Sequence, residues 1–152
     1  MNNYSIKFFN LEDLEILAKN FVKKLKKGSI VCLKGELGAG KTTYARFLIN
    51  SLYDLNNLTK PSSIKSPSFP ILLTYNLSDL EIFHYDLYRI RKSSELDNLN
   101  ISENINNSIT LIEWPEILLK ENFNYQFYLI ELIIHNSSQR IIKKKIINQC
   151  QL

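Results

Sequence analysis

The sequence is poor in the residues that mark stapled, fibrous or membrane-spanning chains. It has two cysteines, Cys32 and Cys150, far apart and in no metal-like spacing. That excludes a disulfide framework and a Cys-ligated zinc site, and both thiols read as reduced. No run approaches the roughly 18–20 apolar residues that span a bilayer, so no membrane segment is expected. Residues Met1–Lys7 lack a basic stretch followed by an apolar one, so no secretory signal is expected and the location implied is cytoplasmic. Glycine and proline number four each, too few for a collagen-like or low-complexity chain. No internal repeat or linker divides the sequence. What is present is a 45% hydrophobic fraction in 152 residues, which excludes a disordered chain and suffices for one domain over 1–152, with about 140–152 a last strand and exposed tail. The net charge of +4 and pI near 9.0 fit RNA or an acidic partner without choosing between them. The abundance of Asn, Ile and Lys reads as genome-wide compositional bias.

Three of the four glycines fall in Gly35-Glu36-Leu37-Gly38-Ala39-Gly40-Lys41-Thr42, which fits the phosphate-binding P-loop pattern G-x-x-x-x-G-K-[ST]. An apolar run, Ile30–Leu33, precedes it and a segment of helical character, about Lys41–Tyr53, follows. Strand, loop and helix in that order are the context the motif requires. The glycines let the backbone curl with its N–H groups inward around an anion, and the helix adds its positive end. Lys41 is placed to reach β- and γ-phosphate oxygens, and Thr42 to put its hydroxyl on Mg²⁺.

The remaining chain reads as alternating elements. Ser5–Phe8 is a strand candidate. Asn10 caps a helix whose Leu14, Leu17, Ala18, Phe21 and Leu25 form one apolar face, and Gly28 is expected to end it. Lys23, Lys24, Lys26 and Lys27 read as its solvated basic end. A polar loop, Leu55–Lys65, leads to Ser66-Pro67-Ser68-Phe69, either a turn or a switch segment that senses the γ-phosphate. Phe69–Tyr75 and Glu81–Tyr88 form an expected hairpin around Asn76–Asp79. In its second strand His84, Asp86 and Tyr88 share a face, and a buried His–Asp pair there could serve structure or chemistry. Short helices are expected after Ser93 or Ser94 and at Ser102–Asn106. Ile109–Ile112 then leads into Glu113, resembling a Walker B strand with Glu in place of the usual Asp. Glu113 would hold Mg²⁺ directly or through water. Trp114 either covers the site or packs in the core. Phe127–His135 and Arg140–Ile147 form a second hairpin, with Lys143–Lys145 protecting an edge or lying in the tail.

In this order the motifs resemble the TsaE (YjeE-type) ATPases of bacterial tRNA threonylcarbamoyladenosine (t6A) biosynthesis. They are the P-loop through Thr43, Ser66–Phe69, His84-Tyr85-Asp86-Leu87-Tyr88-Arg89 and Ile112-Glu113-Trp114-Pro115-Glu116. The resemblance implies a single P-loop NTPase-like α/β domain with a central mixed β-sheet flanked by helices. It implies ATP on Leu37, Gly38, Ala39, Gly40, Lys41 and Thr42, with Mg²⁺ on Thr42 and Glu113. It implies a switch at Ser68, where Thr is usual, and an acidic Glu36 where Asp is commoner. Lys41, Asp86 and Glu113 are its implied catalytic residues, with peripheral nucleotide contacts from Glu12, Gln139 and Arg140. The family's implied partner is the TsaB–TsaD heterodimer. That pair transfers threonylcarbamoyl to N6 of adenosine 37 in tRNAs reading codons that begin with A, so tRNA is met only through the complex.

The expectation is therefore a Mg²⁺-dependent ATPase gated by partners. A small-molecule or nucleoside kinase shares the P-loop and the size, but Arg46, Arg89, Arg91 and Arg140 do not cluster in sequence as a lid. A nucleotide-binding scaffold without turnover is the third class.

Overall fold

The computed structural model describes residues 5–148. Met1–Tyr4 and Gln149–Leu152, with Cys150 and the end of the expected tail, lie outside the described residues. Strand β1 (Ser5–Phe9) leads into helix α1 (Leu11–Phe21), and β2 (Ile30–Lys34) into α2 (Lys41–Leu55). A hairpin follows, β3 (Leu72–Leu77) and β4 (Leu80–Asp86). Next come a 3-10 segment (Ser93–Leu99), α3 (Ile101–Ile105), β5 (Ser108–Glu113) and α4 (Glu116–Leu119). Strands β6 (Gln126–Ile134) and β7 (Arg140–Asn148) complete the order. No described helix is long and apolar enough to cross a membrane.

The strands make one seven-stranded sheet in the order β1-β7-β6-β2-β5-β4-β3. Its centre is parallel, with β2 between β5 and β6 and β4 beside β5. Antiparallel pairs, β3 with β4 and β1 and β7 beyond β6, complete both ends. Every residue of β5 is buried, as are Ile30–Leu33 of β2, because helices or loops cover both faces of the centre. Val31, Leu33, Ile109 and Leu111 pack with Leu48, Ile49 and Leu52 of α2 and with α1. Ile30, Cys32, Ile112 and Tyr85 fill the opposite face with Ile101, Ile105 and Leu118.

Several local expectations shift. Asn10 does cap α1, accepting from the Asp13 amide at 2.9 Å while Asp13 accepts from the Asn10 amide at 3.2 Å. The helix ends at Phe21 in a 3-10 turn, Val22–Lys24, ahead of Gly28. Gly28 (φ 87) instead steers the chain into β2, its N–H bonded to Ser108 O at 2.8 Å. Strand β3 begins three residues later than Phe69. Ser68–Pro70 form a turn closed by Ile71 N–H to Pro67 O at 2.6 Å, and Pro70 has no N–H for a ladder. The hairpin turn is the pair Ser78-Asp79 alone, with Ser78 at φ 63. Lys143–Lys145 do not protect an edge: β1 pairs along β7 from Ser5↔Lys144 to Phe9↔Arg140.

Leu48 is fully buried in α2. Leu48→Ala should lower unfolding free energy by about 2–5 kcal/mol, the range for truncating a buried leucine. Chemical denaturation checks this, and an unchanged midpoint would contradict the packing of α2 on the sheet.

Candidate functional site

The loop between β2 and α2 is shaped by what surrounds it. A Cβ on Gly35 would lie 2.5 Å from the carbonyl oxygen of Leu132 in β6, so a side chain cannot enter without displacing backbone. Gly40, at φ 104, caps α2 with no side-chain acceptor on its first-turn N–H groups. An uncapped helix start of this kind attracts anions. Lys41, the first residue of α2, is buried, and its Nζ donates to Gly35 O at 2.6 Å and Glu36 O at 2.9 Å. The Trp114 ring lies over the same Nζ, 3.8 Å from atom to centroid. Trp114 thus covers the loop and is not a core residue, and Tyr88 packs on it at 4.8 Å. Its own backbone sits at φ 55, an uncommon conformation for a bulky residue.

Strand alternation brings the acids to this place. Ile82, His84 and Asp86 point to the α2 face of β4, and Ile109, Leu111 and Glu113 to the same face of β5. On both strands the face is apolar early and polar at the C-terminal end, where open α/β sheets bind ligands. Asp86 and Glu113 are register partners, two adjacent buried carboxylates. Glu113 is held at both oxygens: Thr42 Oγ1 donates to Oε2 at 2.8 Å, and His84 Nε2 lies 2.8 Å from Oε1. The expected His84–Asp86 pair is therefore replaced by His84–Glu113: Glu113 lies diagonally across the parallel ladder, two residues beyond Leu111, the register partner of His84, and its long side chain reaches the ring. Asp86 accepts from Tyr88 N–H at 3.0 Å and Ser66 Oγ at 3.3 Å.

Burial raises the Asp86 carboxyl above its ordinary range, and the charge on Glu113 adds to this, while the Tyr88 N–H and Ser66 hydroxyl oppose it. Burial likewise lowers the Lys41 ammonium, against the upward pull of Glu113, Glu116, Asp86 and Glu36. Each sign of charge is unfavourable alone here and favourable beside the other.

Lys41, Thr42, Asp86, Tyr88, Glu113 and Trp114 line a cleft of about 640 Å³ with Leu37, Gly38, Ser68, Arg89 and Arg91. The structure thus gathers Leu37, Gly38, Gly40, Lys41, Thr42, Ser68, Asp86 and Glu113. Ala39, within the loop, is buried and does not line the cleft. Arg140 reaches the loop from the first position of β7, its guanidinium 3.5 Å from Gly38 O. Gln139 is engaged within the β6–β7 turn, with its side chain on Asn136. Glu12 is exposed in the first turn of α1; neither it nor Gln139 lines the cleft. Thr43, Tyr88 and Arg91 were not singled out as site residues by sequence. Thr43 and Tyr88 did fall within the motifs that carry the resemblance, and Tyr88 on the strand face shared by His84 and Asp86; Arg91 had no signal beyond its closeness to Arg89. The oxygen donors of Thr42 and Glu113 suit a hard divalent cation. Among the described residues no three His, Cys, Asp or Glu side chains form a metal cage. A cation here would fill its shell with water and phosphate oxygens, as Mg²⁺ commonly does.

The family model described as "Threonylcarbamoyl adenosine biosynthesis protein TsaE" matches residues 9–144. A relative from Rickettsia felis carrying the name tRNA threonylcarbamoyladenosine biosynthesis protein TsaE is 41% identical over 72% of this chain and 61% of its own. One of the same name from Aquifex aeolicus is 34% identical over 69% of this chain and 71% of its own. The match therefore spans about three fifths of the Rickettsia felis relative's length. The crystal structure of Bacillus subtilis YdiB superposes with a TM-score of 0.71 at 23% identity, covering 95% of this chain and 86% of that one, a likeness of fold.

Two outcomes test this geometry. Trp114 is the single tryptophan and lies over Lys41, so a polyphosphate such as ATP entering the loop should change its fluorescence; a flat response as ATP is titrated would contradict an anion site beneath it. A carboxyl raised in the folded state favours folding at low pH and loses that contribution as pH rises through its folded value. The stability of Asp86→Asn relative to the parent should therefore grow as pH rises through and just above the ordinary carboxylate range. A pH-independent difference in melting temperature would contradict a desolvated Asp86.

Proposed function

The chain belongs to the TsaE family, and from that premise we propose that it is a Mg²⁺-dependent ATPase supporting t6A formation at adenosine 37 of tRNA. The observation that carries this reading is the convergence in one cleft of Lys41 and Thr42 with Asp86 and Glu113. On this reading the loop amides and Lys41 receive the phosphates. Lys41 Nζ exchanges the carbonyls of Gly35 and Glu36 for β- and γ-phosphate oxygens, and Thr42 and Glu113 hold the cation. A Mg²⁺ held there would supply charge neutralisation for the phosphates.

Asp86 faces the same space with a carboxyl of raised proton affinity, suited to orient a water and accept its proton as the water oxygen attacks the γ-phosphorus. The β–γ bridging bond breaks and charge develops on the leaving oxygen, which Lys41 and the loop amides stabilise. Ser68, which lines the cleft, would serve as the switch hydroxyl. Arg89 and Arg91 border the cleft, and either can place a guanidinium on the transferring group; an arginine from a partner is the other source. TsaB and TsaD are the partners the family relationship suggests, with hydrolysis sustaining repeated turnover of that pair and tRNA reached through it.

Steady-state ATP hydrolysis tests the proposal. Slow hydrolysis alone that rises when a TsaB–TsaD pair is added supports it. No stimulation of this chain by a pair shown to be active would contradict the t6A role, and phosphate passed from ATP to a nucleoside or metabolite would favour a kinase. Lys41→Ala should abolish hydrolysis and remove most ATP binding; normal activity in that variant would contradict the P-loop assignment.

A further inference from the structure

Among the buried polar side chains that the proposed mechanism leaves unused, His84 lies against a site carboxylate. His84 is fully buried in β4, and Glu113, also buried, lies against it. The His84 ring offers Nε2 to Glu113 Oε1 at 2.8 Å, and its Nδ1 has no hydrogen-bond partner among the described residues. A carboxylate oxygen can only accept, so Nε2 carries the proton. In the neutral ring Nδ1 is then an acceptor left unsatisfied, which is tolerated more readily than a buried N–H without a partner. A leucine would remove the orphaned Nδ1 but would leave the buried Oε1 of Glu113 without a donor. What a leucine lacks is the N–H directed at Glu113.

We infer that His84 is a positioning residue: its Nε2–H pins one oxygen of Glu113 so that the other stays directed at Thr42 and the cation they share. The inference rests on the proposed Mg²⁺ site and deepens it. The geometry explains why one contact matters. Glu113 has two oxygens with separate tasks, Oε1 on His84 and Oε2 on Thr42. When the Thr42 hydroxyl turns to a cation, Oε2 loses its protein partner. Without His84 the carboxylate would then be free to rotate about its terminal bond, a torsion with broad preference. With His84 in place the rotation is blocked and Oε2 remains aimed at the metal. Groups that orient a metal ligand in this way commonly change metal affinity by roughly 10–100-fold when removed.

The test is the Mg²⁺ dependence of nucleotide binding, read by calorimetry with the non-hydrolysable analogue AMPPNP. In the parent, Mg²⁺ should tighten binding. In His84→Leu the Mg²⁺-free affinity should be unchanged, while the Mg²⁺ concentration needed for tightening should rise at least about tenfold. His84→Gln places an amide N–H near the position of Nε2 and should recover most of the effect. Equal Mg²⁺ titrations in His84→Leu and the parent would overturn the inference and leave the Mg²⁺ site standing. A folded His84→Gln that behaves like His84→Leu would overturn it as well. A parent that shows no Mg²⁺ effect would overturn the metal site and the inference together. Should His84→Leu fail to fold, ¹⁵N spectra of the parent imidazole still decide: the Nε2–H tautomer supports the inference, and an Nδ1–H tautomer overturns it.

Discussion

The Lys41 ammonium governs this structure. A cation so thoroughly removed from water is unfavourable unless donors and charges replace the lost solvent. Two backbone carbonyls of the loop, the face of Trp114 and the nearby carboxylates supply that replacement. Each requirement reaches back into the fold. The carbonyls of Gly35 and Glu36 can turn inward because Gly35 crosses β6 where a side chain would strike Leu132 O. The ammonium sits at the first residue of α2 because Gly40 turns the chain there. The helix is anchored beneath it by Leu48, Ile49 and Leu52 on the sheet. A polyphosphate is the ligand best matched to such a loop, since it offers Lys41 the oxygens it now takes from its own backbone.

The parallel centre of the sheet divides labour along its strands. The early residues of β4 and β5 on the α2 face are Ile82, Ile109 and Leu111, which join the core; their ends are His84, Asp86 and Glu113. One continuous face thus grades from packing into chemistry. Rigid strands hold the carboxylates, and the loop with Ser66 and Ser68 approaches from the side. Adjacent buried carboxylates repel, so Asp86 and Glu113 favour the cation proposed between this face and the phosphates as well as Lys41.

Much of this was legible in the chain. The loop motif depends on local residue order, so Gly35–Thr42 could be read directly, and so could the strand before it and the helix after. Period-two alternation gave the common face of His84 and Asp86, and four β-formers ending in an acid gave the place of Glu113. Contacts between distant segments were not legible. The pairing of His84 with Glu113 depends on the β4–β5 register, and the inner position of β7 depends on β1 returning beside it. Trp114 could not be placed from its type, since an indole serves equally as core or cover; a backbone at φ 55 turned it over Lys41. Arg140 approaches the loop only because a hairpin far downstream in the chain folds back against it, ending 3.5 Å from Gly38 O. Gly28 misled because helices often end in glycine, whereas here a 3-10 turn ends α1 first and the glycine serves the entry to β2.

The most direct measurement is a crystal structure of the chain with Mg²⁺ and a non-hydrolysable ATP analogue. Phosphates lying within residues 35–42, Lys41 Nζ moved from the carbonyls of Gly35 and Glu36 onto phosphate oxygens, and a metal held by Thr42 and Glu113 is the predicted result. An analogue bound away from this loop, with Lys41 still on its own backbone, would contradict it.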